Sequence, residues 1–414
     1  MCYWVVDEMT VVHIGFKYGV NDTGGAAIAS TRLHLALLEA GVDSHYVTIT
    51  KCQDGPNVHV LPEGRARTTF FGLTKLLRGC WKLTPYRRSI PLNVVPLWGL
   101  ERLLKKLKPD AVHVQWINAD VCSFAQLSRL RCPIVFNLHD LFLMLHEGGC
   151  PSDDRYLKGY LRGNSSWLNR WLVSRKARLV AKTNPVFIGP SEWVAAACRN
   201  SIVGRGHLAF PIPNIIDKTF AFKRDMYHPG ERFVILFGAF GGTHTSYKGW
   251  PDLVKAFGVL PENVRRQTEV HVFGEEGEQR EINDMPLKFL GKVSDPQKLC
   301  QIYHEADVFA FPSVQETQGM TKIEAMLCGL PVIAFDRTAC AEGIEHAVSG
   351  WIAPDGDISS YAEGLVHYFE MWKAGKLAET HAAVARLAAE RYDTGALVRK
   401  VMSVYAQQMG KPRL

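Results

Sequence analysis

The chain has no CxxC pair and no Cys/His run with metal-ligand spacing, although it holds ten cysteines in 414 residues. Thiols scattered through a chain large enough to fold without staples point to a reducing compartment and unbridged cysteines. No uninterrupted apolar run approaches the roughly 20 residues that span a bilayer. The N-terminus, "MCYWVVDEMTVVHIGF", lacks the basic stretch and cleavage site of a signal peptide, so the expected location is the cytoplasm. GxGxxG, GK[ST], GxSxG and HExxH are also missing, which removes the usual dinucleotide, P-loop, serine-hydrolase and zinc-protease signatures. The acidic clusters at Ser152 to Asp154 and Asp355 to Asp357 lie in turn-rich polar stretches and read as solvated loops, so no metal is expected.

Acid is scarce in one segment. Between Arg65 and Lys108, eleven basic residues interleaved with Phe, Leu and Trp face the single acid Glu101. That pattern suits a peripheral docking surface for anionic lipid headgroups. A solvated loop and helix is the plainer alternative, and no RNA- or DNA-binding motif elsewhere supports nucleic acid. The net charge of +7 is modest for this length and carries no further message.

What is present is enough apolar material, 47% of residues, for two cores. The first half alternates β-branched runs such as "TVVHIGF", "DAVHVQW", "CPIVFNLHD" and "NPVFIGPS" with helical patterns closed by Gly or Pro. After a polar gap around 218–232 the alternation resumes in "RFVILFGAF", "EVHVFG", "DVFAFPS" and "PVIAF". Continuous apolar strands separated by helices predict an α/β fold of two doubly wound, Rossmann-like domains. The expected boundaries are 1–217, 218–385 and a C-terminal helix in 386–414 packing across a hinge near Ile215 to Phe220. Ligands of such sheets bind beyond the carboxyl ends of the strands, so two facing sheets predict an interdomain cleft.

Candidate residues sit at those ends. Gly24 and Gly25 follow a strand and open a helix, allowing close backbone approach to an anionic or hydroxyl-rich ligand; a plain tight turn is the alternative. Lys248 precedes Gly249 and a new helix, the expected place for a phosphate-binding cation or, singly, for an exposed lysine. His139 ends "CPIVFNLHD" and can hydrogen-bond a hydroxyl or serve a structural role.

In "ETQGMTKIEAMLCGLPVIAF" a strand is followed by Glu316, then Gly319, then a helix starting near Thr321. Two acids eight residues apart on one continuous helix would lie about 12 Å apart along its axis, too far to share a centre. Glu316 in a loop and Glu324 in the first turns can instead address two ends of one extended ligand. The free amides around Gly319 to Thr321 suit a diphosphate between them. Helix capping explains Glu324 alone and leaves Glu316 unexplained.

Together these stretches resemble family 4 of the retaining, nucleotide-sugar-dependent glycosyltransferases of GT-B fold. Glu316 and Glu324 match the E-x7-E motif, and "VHVQWIN", "NLHD", "FIGPSEW", "IPNIID", "YKGWPDL" and "FLGKVSD" extend the likeness over roughly residues 10–357. The resemblance implies a donor that is a nucleoside diphosphate sugar, no cofactor or metal, and a glycan or lipid-linked acceptor in bacterial surface-polysaccharide assembly. It implies that Glu324 holds the ribose hydroxyls and that Glu316 and His139 face the transferred sugar. Gln318, Gly319, Met320 and Thr321 would touch the sugar and diphosphate, and Lys248 would neutralise the diphosphate. Gly24 and Gly25 would cover the donor phosphates near the acceptor, the backbone near Gly291 to Val293 would contact the base, and Gly274 matches a substrate-site glycine at the end of the preceding strand. Two departures stand out. Ala239 and Phe240 replace a common Gly-Arg pair that supplies a second phosphate cation, and Thr317-Gln318 replaces a common Gly-Phe. A nucleotide-sugar epimerase and a catalytically silent GT-B scaffold are the rival readings.

Overall fold

The structure, a computed structural model, describes residues 9–20, 24–81, 91–146, 149, 154–159, 167–223, 227, 229–238 and 241–410. It divides into two compact units, 1–215 with 394–414, and 216–393. The chain therefore leaves the first unit at Ile215 and re-enters it at Thr394.

Among the described residues the first unit has seven strands: β1 (Thr10–Tyr18), β2 (Asp43–Lys51), β3 (Val58–Val60), β4 (Ala111–Val114), β5 (Ile134–Asn137), β6 (Val186–Gly189) and β7 (Ala209–Pro211). Their order is β3-β2-β1-β4-β5-β6-β7, parallel at every pairing. β4, β5 and β6 are buried along their whole length, as expected for strands covered on both faces. One core gathers Val12, Val112, Phe136 and Phe187. The other packs Val11, Val135 and Ile188 against Leu397, Val398 and Val401, each such side chain contributing about 1.5–3 kcal/mol on burial.

The second unit follows with β8 (Phe233–Gly238), β9 (Thr268–Phe273), β10 (Arg280–Ile282), β11 (Met285–Phe289), β12 (Val308–Phe311), β13 (Val332–Phe335) and β14 (Gly350–Ala353). The order is β10-β11-β9-β8-β12-β13-β14. Only the edge hairpin β10/β11 is antiparallel among these pairings. The two sheets carry the expected α/β, doubly wound pattern.

Two expectations need correcting. The boundary placed at 385/386 falls inside the continuous helix Leu377–Arg391, which stays with the second unit; the helix that returns is Thr394–Gln408. Its Tyr405 hydroxyl lies 2.7 Å from His113 Nδ1 on β4, and its apolar face belongs to the first unit's core rather than to a hinge. The stretch Asp355 to Asp357 is more than solvated loop. Asp357 caps the helix Ile358–Lys373 by accepting from Ser360 N–H at 2.9 Å, and Asp355 pairs with Arg337. Such a cap is worth about 1 kcal/mol. Ser152 and Asp153 lie outside the described residues.

Candidate active site

β8 and β12 are neighbours, so the loops leaving their carboxyl ends lie side by side. The two loops are tied by a backbone bond from Val314 N–H to Tyr247 O at 2.8 Å. Gly249 turns with φ 78°, and a Cβ there would stand 1.8 Å from Pro312 O, so only glycine allows this approach. The consequence is that Lys248 Nζ reaches Glu316 Oε1 at 2.6 Å, with the side chains 15% and 12% exposed. Burial works against charge on Lys248, but the adjacent Glu316 carboxylate outweighs it and raises the lysine's pKa above the ordinary value.

Glu316 is held from three sides. Ser313 Oγ donates to Oε1 at 3.2 Å, the Glu316 N–H donates to Thr338 Oγ1 at 2.9 Å, and its carbonyl accepts from Ala339 N–H at 3.4 Å. The Thr338–Ala339 loop is itself fixed by Lys322, whose buried ammonium donates to the carbonyls of Ala339, Cys340 and Glu342. Burial lowers its pKa to about 8.

Gly319 is the N-cap of the helix Met320–Leu327, with φ 79° and ψ 72° and no side-chain cap. A Cβ on it would meet Phe311 at 2.6 Å. The first-turn amides, Met320 and Thr321 among them, have no carbonyl partner within the helix. Gln318 and Glu324 are buried, while Met320 and Thr321 are half-buried. Glu324 lies against Tyr303, whose phenol it pushes up together with burial, the larger cause; the same hydroxyl donates to Thr321 O at 3.3 Å. The expected loop-then-helix arrangement of the two acids is what the chain forms, with the helix beginning one residue earlier than expected.

Gly274 follows β9 with φ 102°, and its N–H donates to Gly291 O at 2.9 Å, joining the β9 and β11 ends. Val293 packs half-buried against the same core cluster as Met320. Glu275, buried beside Gly274, accepts from Thr243 N–H and Thr243 Oγ1 at 3.1 and 2.6 Å, shaping the loop after β8. Ala239 and Phe240, where the second cation is replaced, lie outside the described residues.

In the first unit, Gly24 caps the helix Gly25–Glu39 with φ 84°. Both glycines line an open cavity of about 300 Å³ with Phe16, Lys17, Tyr46 and Trp116. Trp116 Nε1 and Asn118 Nδ2 donate to Asp140 Oδ2 at 3.2 and 2.5 Å, and Phe142 N–H donates to Oδ1 at 2.9 Å. Asp140 thus locks the loop after β5 to the one after β4.

His139 Nε2 lies 2.8 Å from Gln115 Oε1, which can only accept, so Nε2 carries the proton and Nδ1 keeps its lone pair. Gln115 is set in turn: its Oε1 accepts from Asn137 Nδ2 at 3.1 Å and its Nε2 donates to His13 Nδ1 at 2.9 Å. Burial lowers the His139 pKa to about 4, so the ring is neutral near pH 7.

Sequence reasoning passed over Lys322, Glu275, Thr338, Gln115 and Lys17. Only Gln115 carried a signal, since it ends the strand-like "VHVQ" as His139 ends "NLHD".

Comparison with known proteins bears on the family and the fold. A family profile described as Glycosyltransferase Family 4 matches residues 23–220, and one described as Glycosyl transferases group 1 matches residues 233–370. A phosphatidyl-myo-inositol mannosyltransferase of Mycolicibacterium smegmatis is 29% identical over 318 residues, 73% of this chain and 72% of that protein. Two other curated relatives align over only 31% and 19% of their own lengths. Among solved structures, sucrose-phosphate synthase from Thermosynechococcus elongatus superposes with TM-score 0.69 at 16% identity, covering 97% of this chain and 100% of that one. Anabaena Alr3699/HepE in complex with UDP-glucose gives TM-score 0.62 at 17% identity, covering 97% and 100%. At such identities the structural likeness speaks for the fold alone.

Proposed function

This chain belongs to the family 4 glycosyltransferases, and from that premise we propose that it moves a sugar from a nucleoside diphosphate sugar to a hydroxyl of a glycan or lipid-linked oligosaccharide, with retention at the anomeric carbon, in polysaccharide assembly. The observation that carries the reading is the placement of the Lys248–Glu316 pair between Gly249 and the uncapped helix start at Gly319. One cation and a set of free amides beside two acids fit a diphosphate flanked by hydroxyl-rich groups.

In this reading Glu324 accepts the ribose hydroxyls and the backbone at Gly291 to Val293 borders the base, with Gly274 bonded to that turn. Gln318, Gly319, Met320 and Thr321 contact the diphosphate and sugar, and Glu316 and His139 orient the sugar. As the anomeric C–O bond breaks, negative charge grows on the diphosphate, where Lys248 and the first-turn amides stabilise it. The acceptor hydroxyl attacks from the leaving-group face and its proton passes to the departing phosphate oxygen, so no side chain is needed as nucleophile. The neutral His139 ring, with Nδ1 unprotonated, accepts a hydroxyl proton rather than placing a second positive charge on the sugar. Lys17 lines the cavity rimmed by Gly24 and Gly25 and gives the first unit a base of its own beside those glycines.

HepE was captured with UDP-glucose, which makes uridine diphosphate sugars the first donors to try. The test is nucleotide release and product NMR with a panel of UDP-, GDP- and ADP-sugars and lipid-linked acceptors, with and without EDTA. Acceptor-dependent release with retained anomeric configuration, undiminished by EDTA, is expected. Conversion of donor alone to an epimer, or the absence of donor binding, would overturn the reading.

No helix among the described residues is long and apolar enough to cross a membrane. Helix Gly64–Trp81 nevertheless exposes Phe71, Leu73 and Leu76 at 37%, 38% and 65%, beside Arg65 and Lys75. This supports peripheral docking on the cytoplasmic face of an anionic membrane; Arg87 and Arg88, in the same basic segment, lie outside the described residues. Charge reversal at Arg65 and Lys75 should lower co-sedimentation with phosphatidylglycerol vesicles, and unchanged binding would favour a solvated helix.

A further inference from the structure

Among the described residues, one group of three Cys, His or acidic side chains stands together and takes no part in the proposed reaction. It comprises Cys300, His304 and Cys328, all buried, with ligand atoms within 4.8 Å of one another. The composition suits a metal, but the hydrogen bonds do not. His304 Nδ1 lies 2.7 Å from the Cys300 carbonyl, which only accepts, so Nδ1 carries the proton; Nε2 accepts from Lys223 N–H at 3.0 Å. A metal on Nδ1 would force a protonated Nε2 to face that N–H.

The two thiols remain. Cys300 sits on the helix Pro296–His304 and Cys328 is the C-cap of the helix Met320–Leu327. Their Sγ atoms are 3.4 Å apart. We propose that Cys300 and Cys328 form a redox pair that closes to a disulfide under peroxide and thereby alters the helix bearing Glu324. Cys300 is 5% exposed and Cys328 only 1%, so Cys300 meets the oxidant. The Cys328 S–H beside it draws the Cys300 thiol down to about 4, while burial pushes Cys328 up. The thiolate is the reactive form.

In the first step the Cys300 thiolate attacks one peroxide oxygen. The O–O bond breaks, hydroxide leaves and takes a proton to become water, and Cys300 is a sulfenic acid. In the second step Cys328 sulfur attacks Cys300 Sγ, the S–O bond breaks, and hydroxide leaves as water with the Cys328 proton. Two thiols are oxidised and one peroxide is reduced to two waters.

Bond formation must draw the sulfurs in to about 2.05 Å, and the movement reaches the site directly. Cys328 N–H donates to Glu324 O at 3.1 Å, and Tyr303, three residues after Cys300, lies against Glu324. This coupling rests on the reading of Glu324 as the ribose-binding acid, whereas the disulfide itself does not.

The test uses the full chain treated with hydrogen peroxide, with peptide mass spectrometry and calorimetric binding of UDP, GDP and ADP before and after. The exposed Cys52 is an internal control for oxidant delivery. A 300–328 cross-link reversed by dithiothreitol is expected, with an affinity change of about fivefold for the nucleotide that binds. Cys328→Ala should abolish both and leave a dimedone-trapped Cys300. Intact thiols at 300 and 328 when Cys52 is fully oxidised, or stoichiometric zinc that protects both, would overturn the pair. A cross-link with unchanged affinity would overturn the coupling. Absence of nucleotide binding in the reduced chain would count against the donor-site reading and not against the disulfide.

Discussion

Lys248 Nζ and Glu316 Oε1 meet at 2.6 Å across two loops that lie 68 residues apart in sequence. The pair explains how an ammonium can wait, charged and half-hidden, where a diphosphate would sit. Its raised pKa keeps it protonated throughout the neutral range, and in the proposed reading the carboxylate that raises it turns to a sugar hydroxyl once phosphate takes over the lysine. Lys248→Ala should lower the turnover number for donor cleavage by a factor of roughly 100–1000, the range for losing one preorganised group. Steady-state nucleotide release checks it, and an unchanged turnover number would remove Lys248 from the chemistry.

Glu324 is buried at the second helical turn, and its expected contribution lies in binding. Losing charge-assisted hydrogen bonds worth about 1.5–3 kcal/mol should weaken donor affinity about 10- to 150-fold in Glu324→Ala. Titration calorimetry with the nucleotide is the measurement. Circular dichroism should show the helix retained, since Cys328 N–H bonds the Glu324 backbone rather than its side chain. Equal affinity for both proteins would sink the ribose assignment.

The order Glu316, Gly319, Glu324 was legible because it is local: a strand end, a glycine and an apolar helix announce themselves within ten residues. The two sheets were legible for the same reason, through β-branched runs such as "FVILFG". Lys322 was not. In sequence it is a lysine in a first helical turn, and what buries it is a set of carbonyls at Ala339, Cys340 and Glu342. Cys300 and Cys328 escaped likewise, since 28 residues separate sulfurs that the packing of two helices brings together. The 385/386 boundary was misplaced because Leu377–Arg391 and Thr394–Gln408 are both amphipathic, with no break in composition where the chain changes units.

Gly249 tests whether local backbone geometry sets the Lys248 position. A Cβ there meets Pro312 O at 1.8 Å from a residue at φ 78°. Gly249→Ala should cost about 2–4 kcal/mol from left-handed strain and overpacking together. The donor-cleavage rate should fall with it as Lys248 is displaced. Gly258→Ala is the control: its nearest atom is Asn283 Nδ2 at an ordinary 3.5 Å, and stability should stay within about 0.5 kcal/mol. Equal urea midpoints for the two variants would show that the Pro312 approach is not constrained.

Acid should loosen the first unit through its buried histidines. His34 and His113 are fully buried, and burial lowers their pKa values to about 4 and about 3; His13, between them, is lowered too by burial and by His113 and His34. Each is neutral when folded and free to take a proton near pH 6.5 when unfolded. The unfolded state therefore binds more protons between the folded and unfolded values, and stability must fall as pH drops through that window. The loss is about 1.4 kcal/mol per pH unit for each such histidine once the unfolded chain is protonated. For His34 and His113 it should be complete only near pH 3 to 4, and nothing comparable from these groups should appear above pH 7. Urea unfolding followed by tryptophan fluorescence at pH 7.5, 6 and 5 should show falling stability. His113→Phe, which also releases the Tyr405 hydroxyl, should lower stability at pH 7.5 yet flatten the slope by one histidine. A flat profile in the parent chain would mean that these rings are not held neutral.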